Sequence, residues 1–420
     1  MARFFYSLLL LLLAPLLLGY LYVLRGNKNP GYRRYFSQRL GFGLSHLPQH
    51  GLVIHCASVG EVLAATPLIK ALKQDNQAII ISCNTPTGRA EINKAFANDV
   101  DIQVCYLPID FAFAMRRFLT RLQPKAVIVM ETELWPNLFH YAKQQNSRIM
   151  VVNARLSHKS FQGYKRFSGL SRQLMDNIDL LAAHDQSDGE RFIALGLAKT
   201  KLAITGSVKF DISLADDDVK RAKQLRQQLQ PRPVWLAGST HPGEHEQVIA
   251  AHQALQKHHP DALLIIAPRH PEQFSAVAEL LEEQGLRFTR RSQQDINAAT
   301  EVLLADTLGE LKWLFGCADV AFIGGSLIPR GGHNPLEAAA HSKAIISGPH
   351  TYNFAHIYPQ LIAQHGALIV ENEQQLGEQL MTLLSSPEQS AELGNNAAQV
   401  LQKNTGAIAK TVQLIQGNLE

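Results

Sequence analysis

The glutamates, histidines and arginines of this sequence that could do chemistry stand at one kind of place: just past a short apolar run, where a helical pattern begins. Cys56-Ala-Ser-Val-Gly-Glu61 puts a carboxylate there, and Met130-Glu-Thr-Glu-Leu-Trp-Pro136 puts two, Glu131 and Glu133. A carboxylate so placed can take or give a proton, or stabilise charge that develops in a reaction. It can also cap a helix. Ser58-x-x-Glu61 has capping-box spacing, and from the residues alone that reading is the stronger. Gly324-Gly-Ser-Leu-Ile-Pro-Arg-Gly-Gly-His-Asn-Pro-Leu-Glu337 combines four glycines, Arg330 and His333 with a helix start at Asn334 and Pro335. Close backbone approach, cations and the free N–H groups of a helix start suit a phosphate. Asn334-x-x-Glu337 is again a capping box, and both uses can hold at once. Ala267-Pro-Arg-His-Pro271, Asp306-Thr-Leu-Gly-Glu310 and Ser239-Thr-His-Pro-Gly-Glu244 are further polar turns of the same half. They bring Arg269, His270 and His241 to strand ends, and Thr307-x-x-Glu310 is one more capping box.

Several chemistries are excluded. No Walker loop or G-x-G-x-x-G fingerprint follows any strand, which removes most of the case for ATP hydrolysis or dinucleotide chemistry. No G-x-S-x-G supports a hydrolase serine, and no His/Cys/Asp/Glu cluster has metal-ligand spacing. Cys56, Cys83, Cys105 and Cys317 show no paired spacing, so a disulfide framework is not expected. The net charge of +4 conceals an asymmetry: the first 60 residues contain no acid and carry +6, and the other 360 carry −2. A nucleic-acid-binding protein would spread basic surface over a folded domain, and this chain does not. Hydrophobic content of 46% with 18% charged residues excludes a disordered chain.

These groups need elements to hold them. From Leu52 onward, continuous apolar runs begin at residues 52, 78, 102, 126, 149, 180 and 203, separated by helical patterns such as 111–122 and 189–195. Unbroken runs of about five residues are what strands buried on both faces look like, so a parallel sheet covered by helices is expected. The pattern breaks over 208–233, where Asp216-Asp-Asp218 heads a polar helical stretch closed by Pro231 and Pro233, read as a domain connection, and restarts with runs at 234, 262, 302, 320, 344 and 368. Two Rossmann-like α/β domains in tandem follow, and their ligand sites should lie past the strands' C-terminal ends. Helical patterns over 387–416 close the chain, leaving open that the last packs back onto the first domain.

Before the first strand, residues 4–24 form 21 uncharged, mostly apolar positions. As one helix they would reach about 31 Å, a bilayer's hydrocarbon thickness. The run is longer than a signal-peptide core and lacks a small-x-small cleavage site, so an uncleaved membrane anchor is expected, bent at Pro15. Arg3 alone precedes it; Arg25, Lys28, Arg33, Arg34 and Arg39 follow, which orients the long body to the cytoplasm. The cations and tyrosines of 25–35 suit an anionic headgroup layer, or serve only as an orientation signal.

Taken together, Ala57-Ser-Val-Gly-Glu61, Met130-Glu-Thr-Glu-Leu-Trp-Pro-Asn137, Asn153-Ala-Arg-Leu-Ser157, Thr205-Gly-Ser-Val-Lys-Phe-Asp211, Pro268-Arg-His-Pro271 and the Gly324–Glu337 stretch resemble, in order, the motifs of the 3-deoxy-D-manno-octulosonic acid (Kdo) transferases of lipopolysaccharide assembly. The resemblance implies a GT-B glycosyltransferase. Two Rossmann-like domains with parallel sheets would face a central cleft, with an anchor at 1–25, an acceptor domain at 26–212 and a CMP-sugar-binding domain at 213–420. It implies inverting transfer of Kdo from CMP-Kdo to a hydroxyl of the lipid A precursor (lipid IVA), at the cytoplasmic side of the cell inner membrane. No metal or other cofactor is implied, and no nucleic-acid partner. Carried over by position, Glu61 matches the general base, and Glu131 and Lys209 match transition-state stabilisers. Pro268, Arg269, Leu308, Gly309, Glu310, Asn334, Pro335, Leu336 and Glu337 match the CMP-binding segments. Leu308 departs from the methionine frequent there, a change that a backbone contact would survive. A transferase of the same fold using a UDP-sugar, and an inert nucleotide-binding membrane protein, are the competing readings.

Overall fold

The computed structural model describes residues 1–73, 77–229, 231–293 and 296–419. The chain forms two compact units, Met1–Asp211 with Thr405–Glu420, and Ile212–Asn404. The first is built on seven parallel strands: β1 Leu52–His55, β2 Ile79–Cys83, β3 Ile102–Tyr106, β4 Ala126–Met130, β5 Arg148–Ala154, β6 Leu180–Ala183 and β7 Leu202–Ile204. Their order is β3-β2-β1-β4-β5-β6-β7, with Leu52 in register with Ile79 on one side and Ala126 on the other. Alternate residues of β1 serve opposite faces. Val53 joins Phe118, Leu119, Leu138 and Phe139 in one core, while Leu52 and Ile54 join Val62, Leu68 and Ile69 in the other. The helix Ala407–Leu419 adds Ala407 and Ile415 to that second core.

The second unit repeats the plan with β8 Val234–Thr240, β9 Leu263–Pro268, β10 Phe288–Arg290, β11 Val302–Leu304, β12 Val320–Ile323, β13 Ala344–Ser347 and β14 Leu368–Ile369, in the order β10-β11-β9-β8-β12-β13-β14. The stretch read as a domain connection contains a folded helix of this unit, Asp216–Leu229. It buries Ala222, Leu225 and Leu229, and its Arg226 makes a two-pronged contact with Asp319 at 2.9 and 3.0 Å. In each sheet the strand order reverses between two neighbours, β1/β4 and β8/β12, and loops past the C-terminal ends of such a pair form the ligand crevice of open α/β sheets.

The apolar N-terminal run is not one straight helix. A helix Ala2–Leu12 and a second helical stretch Ala14–Lys28 meet at 54°, and among the described residues no single helix is long and apolar enough to cross a membrane. The break lies just before Pro15, whose missing N–H and ring cannot continue the preceding turn. One edge of the first helix is tied down: Arg3 and Ser7 donate to Asn137 Oδ1 at 2.9 and 3.0 Å, and Tyr6 donates to Asp110 at 3.0 Å. Phe4, Phe5, Leu9, Leu12 and Leu16 are exposed.

Candidate functional site

In the first unit, Glu61 lies where β1 ends and the helix Val59–Leu72 begins, with Ser58 as the N-cap. Ser58 Oγ accepts the Glu61 N–H at 3.3 Å and donates to Glu61 Oε1 at 2.9 Å; Oε2 accepts from the Ala57 N–H at 2.8 Å. Ser58 therefore caps the helix, and the Glu61 carboxylate reaches back past the cap to Ala57, which fixes its orientation. Burial pushes the Glu61 carboxyl up to about 7, and the charges of Glu131 and Glu133 add to the rise against the bonds from Ala57 and Ser58. A carboxylate titrating near neutrality is suited to accept a proton.

Glu131 follows β4, the neighbour of β1 at the reversal point. Its N–H donates to Val152 at 3.0 Å, and its φ of 55° is the left-handed conformation, uncommon for a non-glycine residue and frequent at functional sites. Lys209 Nζ stands 3.7 Å from Glu131 Oε1. The turn Val208–Phe210 that carries Lys209 is held by Asn153 Oδ1, which accepts the Val208 N–H at 3.1 Å. Asn153 is itself left-handed, at φ 52°, so two of the recurrent motifs form one support. Glu133 is raised by burial first and Glu131 second, and it lies 4.0 Å from His55, whose ring burial lowers to about 4. Glu61, Glu131 and Lys209 thus meet at one crevice end.

Pro268–Arg269, Leu308–Glu310 and Asn334–Glu337 all follow parallel strands (β9, β11 and β12) at the same end of the second sheet. Asn334 Oδ1 accepts the Leu336 N–H at 3.1 Å. Burial raises the Glu337 carboxyl, opposed by the charges of Lys312 and Arg269. Glu310 takes the Thr307 hydroxyl and faces Arg291, whose Nε is 3.3 Å away.

The first part of the glycine-rich turn already holds an anion of the protein itself. The Gly325, Ser326 and Leu327 N–H groups donate to the buried carboxylate of Glu244 at 2.7, 3.0 and 3.0 Å, and His241 N–H does so at 3.3 Å. The helix that follows spans only Leu336–Ala340, too short for a strong dipole. Side chains add positive charge here: Arg269 and Arg330 act on His241, and Lys312 and Arg269 on Glu337. The polar turn Ser239–Glu244 was visible in the sequence, yet nothing in its spacing marked Glu244 as the organiser of a loop some eighty residues away. The turn's histidine is better placed than spacing could tell: His241, His270 and His333 form one group. Among the described residues no set of three His, Cys, Asp or Glu side chains is placed to hold a metal ion.

A family model described as 3-deoxy-D-manno-octulosonic-acid transferase (kdotransferase) matches residues 34–212. The chain is 42% identical to the 3-deoxy-D-manno-octulosonic acid transferase of Haemophilus influenzae, over 100% of this chain and 99% of the relative. It is 33% identical to that of Bordetella pertussis, over 86% of each. Among solved structures, a glycosyltransferase from Rickettsia africae aligns with 89% of this chain and 99% of its own at a TM-score of 0.56 and 13% identity, which shows the fold alone.

Proposed function

The chain belongs to the 3-deoxy-D-manno-octulosonic acid transferase family, and on that premise we propose that it moves Kdo from CMP-Kdo to a hydroxyl of the lipid A precursor lipid IVA, with inversion and release of CMP. The observation that carries the reading is the buried Glu61 carboxylate beside Glu131 and Lys209 at the reversal point of the first sheet, in a chain related end to end to such a transferase. Glu61 takes the proton of the acceptor hydroxyl, and the freed oxygen bonds the anomeric carbon. The bond from that carbon to the CMP phosphate oxygen breaks, and its electron pair leaves on the phosphate. Lys209 and Glu131 stabilise the charge that develops. Arg269 and the Leu308–Glu310 and Asn334–Glu337 segments hold CMP.

The same reading places the chain at the cytoplasmic side of the cell inner membrane. The exposed apolar side chains of residues 4–16 and the acid-free, basic stretch after them support an anchor in an anionic bilayer. Washing membranes at high pH should leave the chain bound; release would contradict an embedded anchor.

Mass spectrometry of the product formed from CMP-Kdo and tetraacylated lipid A precursor tests the activity. A precursor heavier by whole Kdo residues is expected, together with free CMP. An unchanged precursor, or consumption of a UDP-sugar in preference to CMP-Kdo, would overturn the reading.

A further inference from the structure

One group of side chains at the second sheet's crevice has no part in the scheme above. His241 follows β8 and His333 follows β12, the two strands between which the order reverses. Their Nε2 atoms are 2.9 Å apart and their rings stack at 5.2 Å with 8° between planes; His270 meets the His241 ring edge-on at 5.5 Å. The pair is built in. A Cβ on Gly325, which sits at φ 67°, would come within 3.0 Å of the His333 ring and 3.3 Å of the His241 ring, so only glycine lets the backbone pass beneath both.

Two fixed cations act on the pair, Arg269 on both rings and Arg330 on His241. After burial, the groups that depress His241, to about 4, are His270, Arg330, His245 and Arg269. For His333, at about 3, they are Arg269, His241 and His270. Both rings are therefore uncharged near neutrality, and the hydrogen bond between two Nε2 atoms leaves the accepting ring with its proton on Nδ1. One nearby anion, Glu244, is already bonded by backbone N–H groups, which takes those of Gly325, Ser326 and Leu327 out of any ligand contact.

We propose that the His241–His333 pair, with Arg330 beside it, is the subsite for the carboxylate of the transferred sugar and so selects an acidic-sugar nucleotide over a neutral one. The inference rests on the reading of the donor as CMP-Kdo. An ulosonic acid donor carries its carboxylate on the anomeric carbon, next to the phosphate linkage, so two anions must be met close together. The CMP segments, Arg269 among them, meet one, and the imidazole pair with Arg330 meets the other. With Nε2 bonded to Nε2, the uncharged pair keeps one donor for the carboxylate, the Nδ1–H of the accepting ring, and adds no fixed charge, which leaves the site free to release a product that no longer bears the phosphate.

His333→Ala and the milder His333→Gln separate this from a structural role, measured on the full chain. KM for CMP-Kdo should rise about tenfold or more in His333→Ala, as for loss of a hydrogen bond to a charged group, with the Ki for competing CMP within about twofold of the parent. His333→Gln, which keeps a donor, should recover part of the loss. If transfer falls too low to measure, calorimetric binding of CMP-Kdo against CMP gives the same comparison. Equal weakening of both ligands, or of neither, would overturn the subsite. A parent protein that fails to use CMP-Kdo at all would overturn the donor assignment instead.

Discussion

Lys209 Nζ lies 3.7 Å from Glu131 Oε1, although one follows β7 and the other β4, with β5 and β6 between them in the sheet. The chain after β7 must run back across the strand ends to make that contact, and Asn153 holds it there through the Val208 N–H. Both side chains are only about one-fifth exposed, so their charges act with little solvent screening. Lys209→Met and Glu131→Gln should each lower turnover by about a hundredfold to a thousandfold, the range for loss of one preorganised stabilising group. The double variant should be little worse than the worse single one, because the two act as a unit. CMP affinity should be unchanged, since the segments proposed to hold CMP all belong to the other unit. Additive losses, or a fall in CMP affinity, would contradict the pairing.

Glu61 also carries a stability cost. Its folded value, about 7, lies above the ordinary 4.5, so the folded state favours the protonated form. The stability linked to that proton is fully present below about 4.5 and is lost as pH rises through about 7. Glu61→Gln should therefore be more stable than the parent at pH 8.5, by at most about 3 kcal/mol, and gain nothing at pH 4.5. Urea unfolding at the two pH values checks this; an equal gain at both would mean that the proton is not the cause.

Glu244 is the keystone of the glycine-rich turn. Removing a buried carboxylate that satisfies four N–H groups leaves them unpaired, at about 1–3 kcal/mol each if water does not enter. Glu244→Ala should lower the urea midpoint of the second unit, followed by fluorescence of Trp235 and Trp313, and should weaken CMP-Kdo binding through the displaced turn. An unchanged midpoint would mean that the turn holds its shape without the carboxylate.

Asp110 joins the N-terminal helix to the rest of the first unit. Its carboxylate accepts from Asn137 N–H and Leu138 N–H, each at 2.9 Å, and from the Tyr6 hydroxyl at 3.0 Å; burial raises it to about 7. Tyr6→Phe should speed hydrogen–deuterium exchange in residues 3–12 and leave Asn137 and Leu138 as they were. Asp110→Ala should speed both. Faster exchange at neither place would show that the helix is held without Asp110, by Arg3 and Ser7 on Asn137 and by its apolar contacts.

The residues themselves explain what the sequence makes legible. Strands such as Ala126–Met130 are buried on both faces and must be apolar throughout, so their positions show directly. Phe288–Arg290 is half-exposed at a sheet edge, with Thr289 and Arg290 in place of an apolar run, and carries no such signal. Glu61, Glu131 and the histidines are visible as polar residues at strand ends. Their partnership is not, because it depends on which strands become neighbours: β1 with β4, and β8 with β12. Glu244 and Asp110 are less legible still. Each binds N–H groups far along the chain, and a hydrogen bond to backbone leaves no mark on the identity of the residue that donates it.

The measurement that bears most directly on the central claim is the pH dependence of kcat/KM for Kdo transfer from CMP-Kdo to tetraacylated lipid A precursor, in the parent and in Glu61→Gln. The parent should rise with unit slope to a plateau, with an apparent pKa near 7 set by the buried Glu61. Glu61→Gln should bind CMP as the parent does, transfer more slowly by about a hundredfold to ten-thousandfold, and lose the rise. A variant that keeps near-parental transfer, or that keeps the same rise through pH 7, would contradict Glu61 as the base.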